Sequence, residues 1–252
     1  MKILLSPAKS IQFSSDFPQV NFSSCEFLDE SEKLVKKLQK YKVKKLSDLF
    51  HVSKEIGELN YARFQNWERP VELVNETIPA VFAFSGEVYR GLDIKSLKEK
   101  QRDYLNDNLR ILSGMYGLLK PYDLLYPYRL EMGTKIEITP KIKNLYQFWG
   151  DKITDKLNSE ESETIVNLAS IEYFKAVNTK KAKAKIITPI FKELKNGEYK
   201  IVMTFAKHAR GEMARFCALN QIQDVEDIKD FSLSNYKFMP SLSSETDWVF
   251  AR

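Results

Sequence analysis

Apolar residues occur along the chain both in short continuous runs and at helical intervals, a combination that predicts a mixed α/β protein. The run from Lys2 to Ser6 predicts a short buried strand that ends at Pro7. Ser24 is a suitable N-cap for a helix, and the apolar residues after it keep a 3.6-residue period at Phe27, Leu28, Leu34, Val35, Leu38 and Tyr41. Similar spacing predicts further helices over 46–50, 53–67, 97–108, 145–157 and 206–220.

Short apolar segments between these helices predict the strands of a sheet, over 79–84, 164–168, 184–191, 199–205 and 248–251. Two of these strands are joined through Asn196-Gly197, a dipeptide typical of tight β-hairpins. The sequence contains neither repeats nor a linker rich in Pro, Gly or Ser. We therefore expect one domain over residues 1–252, of the mixed α/β (α+β) class, with a central mixed sheet flanked by helices.

The composition is that of an ordinary folded protein and excludes several classes of protein. Hydrophobic residues make up 43% and charged residues 29% of the 252 residues, which is far from the composition of disordered chains. The longest apolar run, from Ile78 to Phe84, is well below the roughly 20 residues of a membrane helix. Lys9 follows Lys2 too closely for the apolar region of a signal peptide. These patterns predict a cytoplasmic protein with no membrane contact.

Cysteine and histidine are too scarce for the common metal and redox sites. Cys25 and Cys217 are far apart and form no Cys-x-x-Cys pair, which excludes a disulfide scaffold and indicates a reducing compartment. His51 and His208 are the two histidines, and a zinc site needs more nitrogen or sulfur ligands than they supply. The sequence also has no Walker A loop, dinucleotide-binding glycine motif or esterase elbow. We therefore expect no bound cofactor.

The positive charge is concentrated in two segments. The net charge is +5, but residues 33–54 carry +7 and residues 175–215 carry +8, so the rest of the chain is acidic. Segregated positive charge is typical of proteins that bind phosphate groups. The lysines of 33–54 follow the outer face of an amphipathic helix, where we expect them to be solvated. The second segment is the more informative one.

Gly114 and Gly117, three residues apart between apolar segments, predict a helix-hairpin-helix-like turn, with Lys120 shortly after it. In such a turn, backbone N–H groups at a helix N-terminus hold a phosphate without reading a base. A tight turn between two packed elements has the same sequence pattern, so both interpretations remain open.

The predicted helix over 206–220 has a basic face. At 100° per residue, Lys207, Arg210 and Arg215 lie opposite the apolar arc. Gly211 and Ala214 lie between these cations and would let a phosphate backbone come close to the helix. This arrangement favours sequence-independent DNA binding through the three cations together with Gly114, Gly117 and Lys120.

Polar residues also follow several predicted strands, where ligands collect in α/β sheets. These residues would line one cleft: Lys9, Arg129, Glu131, Asn167, Ser170, Lys207 and Arg210. The first five are candidates for catalysis on a nucleotide or nucleic-acid substrate. A buried polar network that fixes the fold would use the same residue types.

An iron site made only of oxygen ligands is a third hypothesis, with Glu131, Asp151 and Glu172 as its candidates. We take DNA binding without catalysis as the first hypothesis and an enzyme as the alternative.

Eight ordered segments of the chain match a known family. They are 5–9 (LSPAK), 62–64, 84–92, 109–117 (LRILSGMYG), 127–133 (PYRLEMG), 145–151 (LYQFWGD), 167–174 and 206–211. Through them the chain resembles the YaaA peroxide-stress family of bacterial cytosolic proteins, nearly from end to end. The resemblance implies a compact α/β domain with a positively charged cleft and a helix-hairpin-helix element. It also implies binding to duplex and branched DNA, and protection from peroxide by limiting damage from intracellular iron.

Overall fold

The computed structural model describes residues 1–12, 16–74 and 76–252. Its strands are β1 (Lys2–Leu5), β2 (Ser10–Ile11), β3 (Ile78–Pro79), β4 (Phe84–Ser85), β5 (Leu109–Ser113), β6 (Gly117–Leu119), β7 (Leu124–Leu125), β8 (Thr164–Leu168), β9 (Lys185–Lys195), β10 (Glu198–Lys200), β11 (Lys237–Phe238) and β12 (Asp247–Ala251). Its α-helices are α1 (Leu28–Leu38), α2 (Val43–Phe50), α3 (Lys54–Gln65), α4 (Ala80–Ala83), α5 (Glu87–Leu92), α6 (Glu99–Asn108), α7 (Leu145–Trp149), α8 (Lys152–Ser159), α9 (Ile171–Phe174) and α10 (Met203–Asn220). Single 3-10 turns lie at Ile94–Ser96, Val225–Asp230, Leu233–Asn235 and Pro240–Leu242.

The main sheet is mixed, as the sequence predicts. Its strand order is β11-β12-β9-β8-β1-β5-β6, and β10 pairs with the far end of β9. The inner strands β12, β9, β8, β1 and β5 are parallel, whereas β6 and β11 are antiparallel edges. Numbered in chain order, the parallel strands are arranged 2-1-3-4-5. After β1 the chain places β5 on one side of it, and then β8, β9 and β12 on the other side. The strand order therefore reverses direction between β1 and β8.

Strand β1 lies inside the sheet, between β5 and β8. Ile3 pairs with Leu109 on one side and with Val166 on the other. Ile3, Leu4 and Leu5 are fully buried, because both faces and both edges of this strand are covered. A strand in that position has apolar residues at successive positions rather than at alternate ones. One hydrophobic core extends from this strand to Phe250 near the other end of the chain, so the chain forms a single α/β domain.

Two helices cross at glycines. An ideal Cβ on Gly211 of α10 would lie 1.8 Å from the Val88 carbonyl oxygen of α5, and one on Gly91 of α5 would lie 2.1 Å from the His208 carbonyl oxygen. The two backbones are therefore in direct contact. The expectation that Gly211 and Ala214 would let a phosphate approach is wrong, because both residues are buried and α5 already occupies the space at Gly211.

The segment around Gly114 and Gly117 is a β-hairpin, so the predicted helix-hairpin-helix element is not confirmed. Strands β5 and β6 flank the turn and every residue of both is buried. Gly117 has a φ of +70°, and a Cβ there would lie 2.6 Å from the Trp149 ring. Flanking strands with no exposed face explain why apolar spacing alone could not distinguish this turn from one between helices.

Two of the predicted strands are partly helical. In the first, 79–84, the middle residues form the short buried helix α4, and β3 and β4 flank it. In the second, 199–205, the strand ends at Lys200 and α10 begins at Met203. Tyr199 still pairs with Leu194 of β9, and the side chains at alternate positions of this segment are exposed: Tyr199, Ile201, Met203 and Phe205.

The remaining predicted elements are present with shifted ends. The helix expected over 145–157 is divided at Gly150 into α7 and α8. Strand β9 continues beyond the predicted end to Lys195. No helix within the three described ranges is long and apolar enough to cross a membrane.

Candidate functional site

The reversal of strand order places two serines side by side. Ser6 directly follows β1 and Ser170 follows β8, so both lie at the carboxyl end of the neighbouring parallel strands. The Ser6 hydroxyl accepts a hydrogen bond from the Ser170 N–H at 2.8 Å and lies 3.3 Å from the Ser170 hydroxyl. Open α/β sheets bind ligands at this kind of switch point. We call the site formed by Ser6, Lys9, Arg129, Glu131 and Ser170 the switch-point crevice.

Glu131 lies between two cations in the crevice. Its carboxylate is 2.8 Å from Lys9 Nζ and 3.3 Å from Arg129 Nη2. The Lys9 side chain is 67% exposed, whereas Arg129 and Glu131 are mostly buried. Arg129 Nε is buried and has no hydrogen-bond partner in the described part of the chain. The three side chains have a net positive charge, as an anion-binding site requires.

Buried tyrosines form hydrogen bonds to the segments that carry the crevice residues. Tyr89 donates to the Ser6 carbonyl at 3.0 Å, and Tyr128 Oη lies 2.6 Å from Ser113 Oγ. Burial raises the pKa of Tyr89, Tyr128 and Tyr173 well above that of a free tyrosine. These phenols are therefore uncharged at neutral pH and hold the loops in place through hydrogen bonds.

Asn167, the fifth candidate for catalysis, lies in a neighbouring pocket. Its Oδ1 accepts the Ala169 N–H at 3.1 Å, and its Nδ2 is 3.4 Å from Thr188 Oγ1. The pocket has a volume of about 340 Å³ and also contains Arg210. We call it the Arg210 pocket. The structure thus joins Lys9, Arg129 and Glu131 through ion pairs, places Ser170 beside Ser6, and puts Asn167 in one pocket with Arg210, as the sequence predicts for these last two residues.

The six predicted DNA contacts do not form one surface. Gly114 and Gly117 are buried in the β5–β6 hairpin. Arg215 donates to the Asp93 carbonyl at 2.9 Å and to Ser96 Oγ at 2.8 Å, so it fastens α10 to the turn after α5. Lys120 and Lys207 have exposed side chains, and they remain predicted contacts.

A lysine groove, which the sequence analysis treated as a solvated helix face, lies between α1 and α8. Its lysines are Lys33, Lys36, Lys37, Lys40 and Lys152. The groove is open, with a volume of about 460 Å³, and Ile138, Ile142 and Phe148 contribute apolar surface to it. Among the described residues that line it, Glu30 is the one acid. Periodicity reveals the face of α1 but cannot show that Lys152 joins it from more than a hundred residues away.

The candidate iron ligands are engaged elsewhere. Glu172 Oε1 accepts the Gly133 N–H at 2.8 Å, and Asp151 accepts a hydrogen bond from Asn178 at 2.8 Å. An ion pair with Lys181 lowers the pKa of the Asp151 carboxyl. Within residues 1–12, 16–74 and 76–252, no three His, Cys, Asp or Glu side chains are grouped so that they could hold a metal ion.

Comparison with known proteins assigns the chain to a family. The profile of the family described as "Peroxide stress protein YaaA" matches residues 1–242. A UPF0246 protein of Aliivibrio fischeri is 48% identical over 256 residues, which cover all of this chain and 98% of the relative. UPF0246 proteins of Idiomarina loihiensis and Neisseria gonorrhoeae are each 46% identical over the same share of both chains. The chain therefore belongs to the YaaA family of peroxide stress proteins.

Proposed function

We propose that this protein binds DNA in the cytoplasm without reading its sequence, as its contribution to the peroxide stress response. The observation that carries the proposal is the lysine groove, where Lys152 of α8 and four lysines of α1 and the turn after it line one open surface. Lysine ammonium groups bind phosphates as point charges, which gives affinity without base specificity. The groove thus takes the role that the sequence analysis gave to the basic face of α10.

The spacing on α1 suits a linear chain of phosphates. Lys33 and Lys37 are four residues apart, so they lie in a row on one face of α1, and Lys40 follows in the turn after the helix. Lys152 faces this row across the groove, and its Nζ lies 5.5 Å from the centre of the Phe148 ring. A backbone that follows the row can contact several lysines at once.

DNA binding of this kind also offers a route by which the protein limits iron-dependent damage. Duplex DNA holds a layer of condensed cations, and a protein that neutralises its phosphates releases them. Ferrous ions at the phosphates would be released in the same way. Peroxide would then meet less iron at the DNA backbone, and the protein itself would need no iron site.

Salt dependence tests the proposal directly. With all five lysines in contact, log K should fall with log salt at a slope of about −4.5 on duplex DNA, since each neutralised phosphate contributes about 0.9. The triple variant Lys33→Gln, Lys37→Gln, Lys40→Gln should reduce the slope by about 2.7. Fluorescence anisotropy with a labelled duplex and with a four-way junction, between about 50 and 200 mM salt, measures both slopes.

A charge-matched control separates the groove from the total charge. Lys100→Gln, Lys195→Gln and Lys237→Gln remove three exposed lysines that lie outside the groove and are not among the predicted DNA contacts. This variant should keep the wild-type slope. An equal loss of slope in both triple variants would contradict the groove, and salt-independent affinity of the wild type would contradict DNA binding through phosphates.

The switch-point crevice favours a second candidate function, an enzyme that acts on a nucleotide. Its specific support is the convergence of Lys9, Arg129 and Glu131 at the reversal of strand order. In this case nucleotides should raise the melting temperature of the wild type, and Arg129→Gln should abolish the increase. Thermal shifts with mono-, di- and triphosphates measure this effect, and no shift at saturating nucleotide would contradict the candidate.

A further inference from the structure

The Arg210 pocket is a built cavity that neither DNA binding nor the switch-point crevice uses. It lies between the end of β8, the middle of β9 and the first half of α10. Much of its wall is apolar, with Ile171, Phe174, Pro189, Phe191 and Ile201 among the lining residues. Its volume of about 340 Å³ is within the range of pockets for small molecules.

Arg210 enters this pocket without a counter-ion. Its side chain is half-buried, and burial lowers the pKa of its guanidinium. In contrast, the guanidinium of Arg110 pairs with Glu160, and that of Arg252 pairs with Glu193. Among the described residues, none accepts a hydrogen bond from Arg210 or forms an ion pair with it. A partly buried charge without a partner is unfavourable, and a bound anion would compensate it.

The other polar groups of the pocket are also suited to an anion. The Ala169 N–H holds Oδ1 of Asn167, so the amide NH2 is on the side of Thr188. The Thr188 hydroxyl can donate, and the exposed Lys175 adds a second cation. Of the described residues that line the pocket, none is acidic.

The entrance of the pocket has exposed apolar side chains. Ile171 is 88% exposed and Ile201 is 53% exposed, although both line the pocket. Exposure of β-branched apolar residues at the edge of a cavity is unfavourable in water. A ligand with an apolar body would cover them.

We propose that the Arg210 pocket binds a small organic anion, a carboxylate or a phosphate monoester with an apolar body. The anionic group binds Arg210 and the Asn167 amide, and the apolar body packs between Ile171 and Ile201. The proposal does not depend on DNA binding, because none of the five groove lysines lines this pocket.

Titration of the full chain with four probes tests the proposal. The probes are 3-phenylpropionate, phenyl phosphate, the neutral 3-phenylpropanamide and inorganic phosphate, with binding measured by calorimetry and by NMR shifts of the pocket residues. One of the two organic anions should bind at least about tenfold more tightly than the amide, since the amide lacks the charge that forms a charged hydrogen bond with Arg210. The preferred anion then tells a carboxylate site from a phosphate site. Binding of inorganic phosphate as tight as that of phenyl phosphate would overturn the apolar part of the proposal.

Variants of α10 provide the matched comparison. Arg210→Met should weaken binding at least about tenfold, whereas Lys207→Met, an exposed lysine on the same helix, should leave it unchanged. Arg210→Lys keeps the charge but not the planar fork, so we expect an intermediate loss and a folded protein. The proposal is overturned if neither anion binds up to about 10 mM, or if both Arg210 variants bind as the wild type does.

Discussion

Replacing Gly211 with alanine is expected to destabilise the protein by about 3 kcal/mol, because the new methyl group would overlap the backbone of α5. The clash is with the carbonyl oxygen of Val88, 1.8 Å from the ideal Cβ position, and with the backbone nitrogen of Leu92 at 2.7 Å. Backbone atoms of a packed helix cannot rotate away, so the two helices must separate and lose the contacts between them. Urea unfolding followed by circular dichroism measures the loss.

The same substitution at Gly57 provides the control. There the ideal Cβ lies 2.0 Å from Oγ of Ser47, which is the rotatable end of a short side chain. Once this hydroxyl turns away, alanine gains its usual helix preference over glycine, so the net change should be within about 1 kcal/mol. If Gly211→Ala lowers the free energy of unfolding no more than Gly57→Ala does, the predicted clash between α5 and α10 is contradicted.

Arg110→Met is the second substitution for which we expect a large effect, a decrease of about 3 kcal/mol in the free energy of unfolding. Arg110 is 4% exposed, and its Nε lies 2.9 Å from Glu160, whose side chain is 11% exposed. Removal of the guanidinium leaves a carboxylate in a largely buried position. Lys2 lies 3.4 Å from Oε2 of the same carboxylate and offsets only part of the loss, since it is farther from Glu160 than Arg110 is and makes no hydrogen bond to this oxygen. Chemical denaturation again gives the free energy of unfolding.

The double variant shows whether the buried charge is the cause. Arg110→Met combined with Glu160→Leu removes both charges, and we expect its stability to return to within about 1 kcal/mol of the wild type. Lys2 keeps its hydrogen bond to the Asp107 carbonyl at 2.7 Å in this variant. Arg90→Met, which breaks the exposed pair with Glu87, should cost less than about 1 kcal/mol. Additive losses in the double variant would mean that packing of the Arg110 side chain matters more than its charge.

The elements that the sequence predicted best have one buried and one exposed face, or a clear end signal. Helix α3 begins after Ser53, whose hydroxyl accepts the Ile56 N–H as a cap, and α6 buries Tyr104 and Leu105 on one face and ends at the predicted Asn108. The prediction of a strand over 79–84 was wrong because these residues are buried on every side. A run without an exposed face has no hydrophobic period that distinguishes a strand from a helix.

The candidate site was predicted in part, for a related reason. Strand ends are visible in the sequence, so the proximity of Ser6 and Ser170 follows once β1 and β8 are known to be parallel neighbours. The Arg210 pocket and the lysine groove depend on which helix packs against which. Short peptide segments do not encode this information, and the proximity of Lys152 to the lysines of α1 appears only in three dimensions.

The position of β1 between β5 and β8 has a consequence for synthesis of the chain. Strand β1 is made before both of its partners, residues 109–111 and 165–168, so one of its edges stays open until residue 168 has been made. An apolar strand with unpaired edges is prone to associate with other chains. Folding of the nascent protein therefore depends on long-range pairing, which is slow, and a chaperone that covers β1 until β8 has been made would reduce association with other chains.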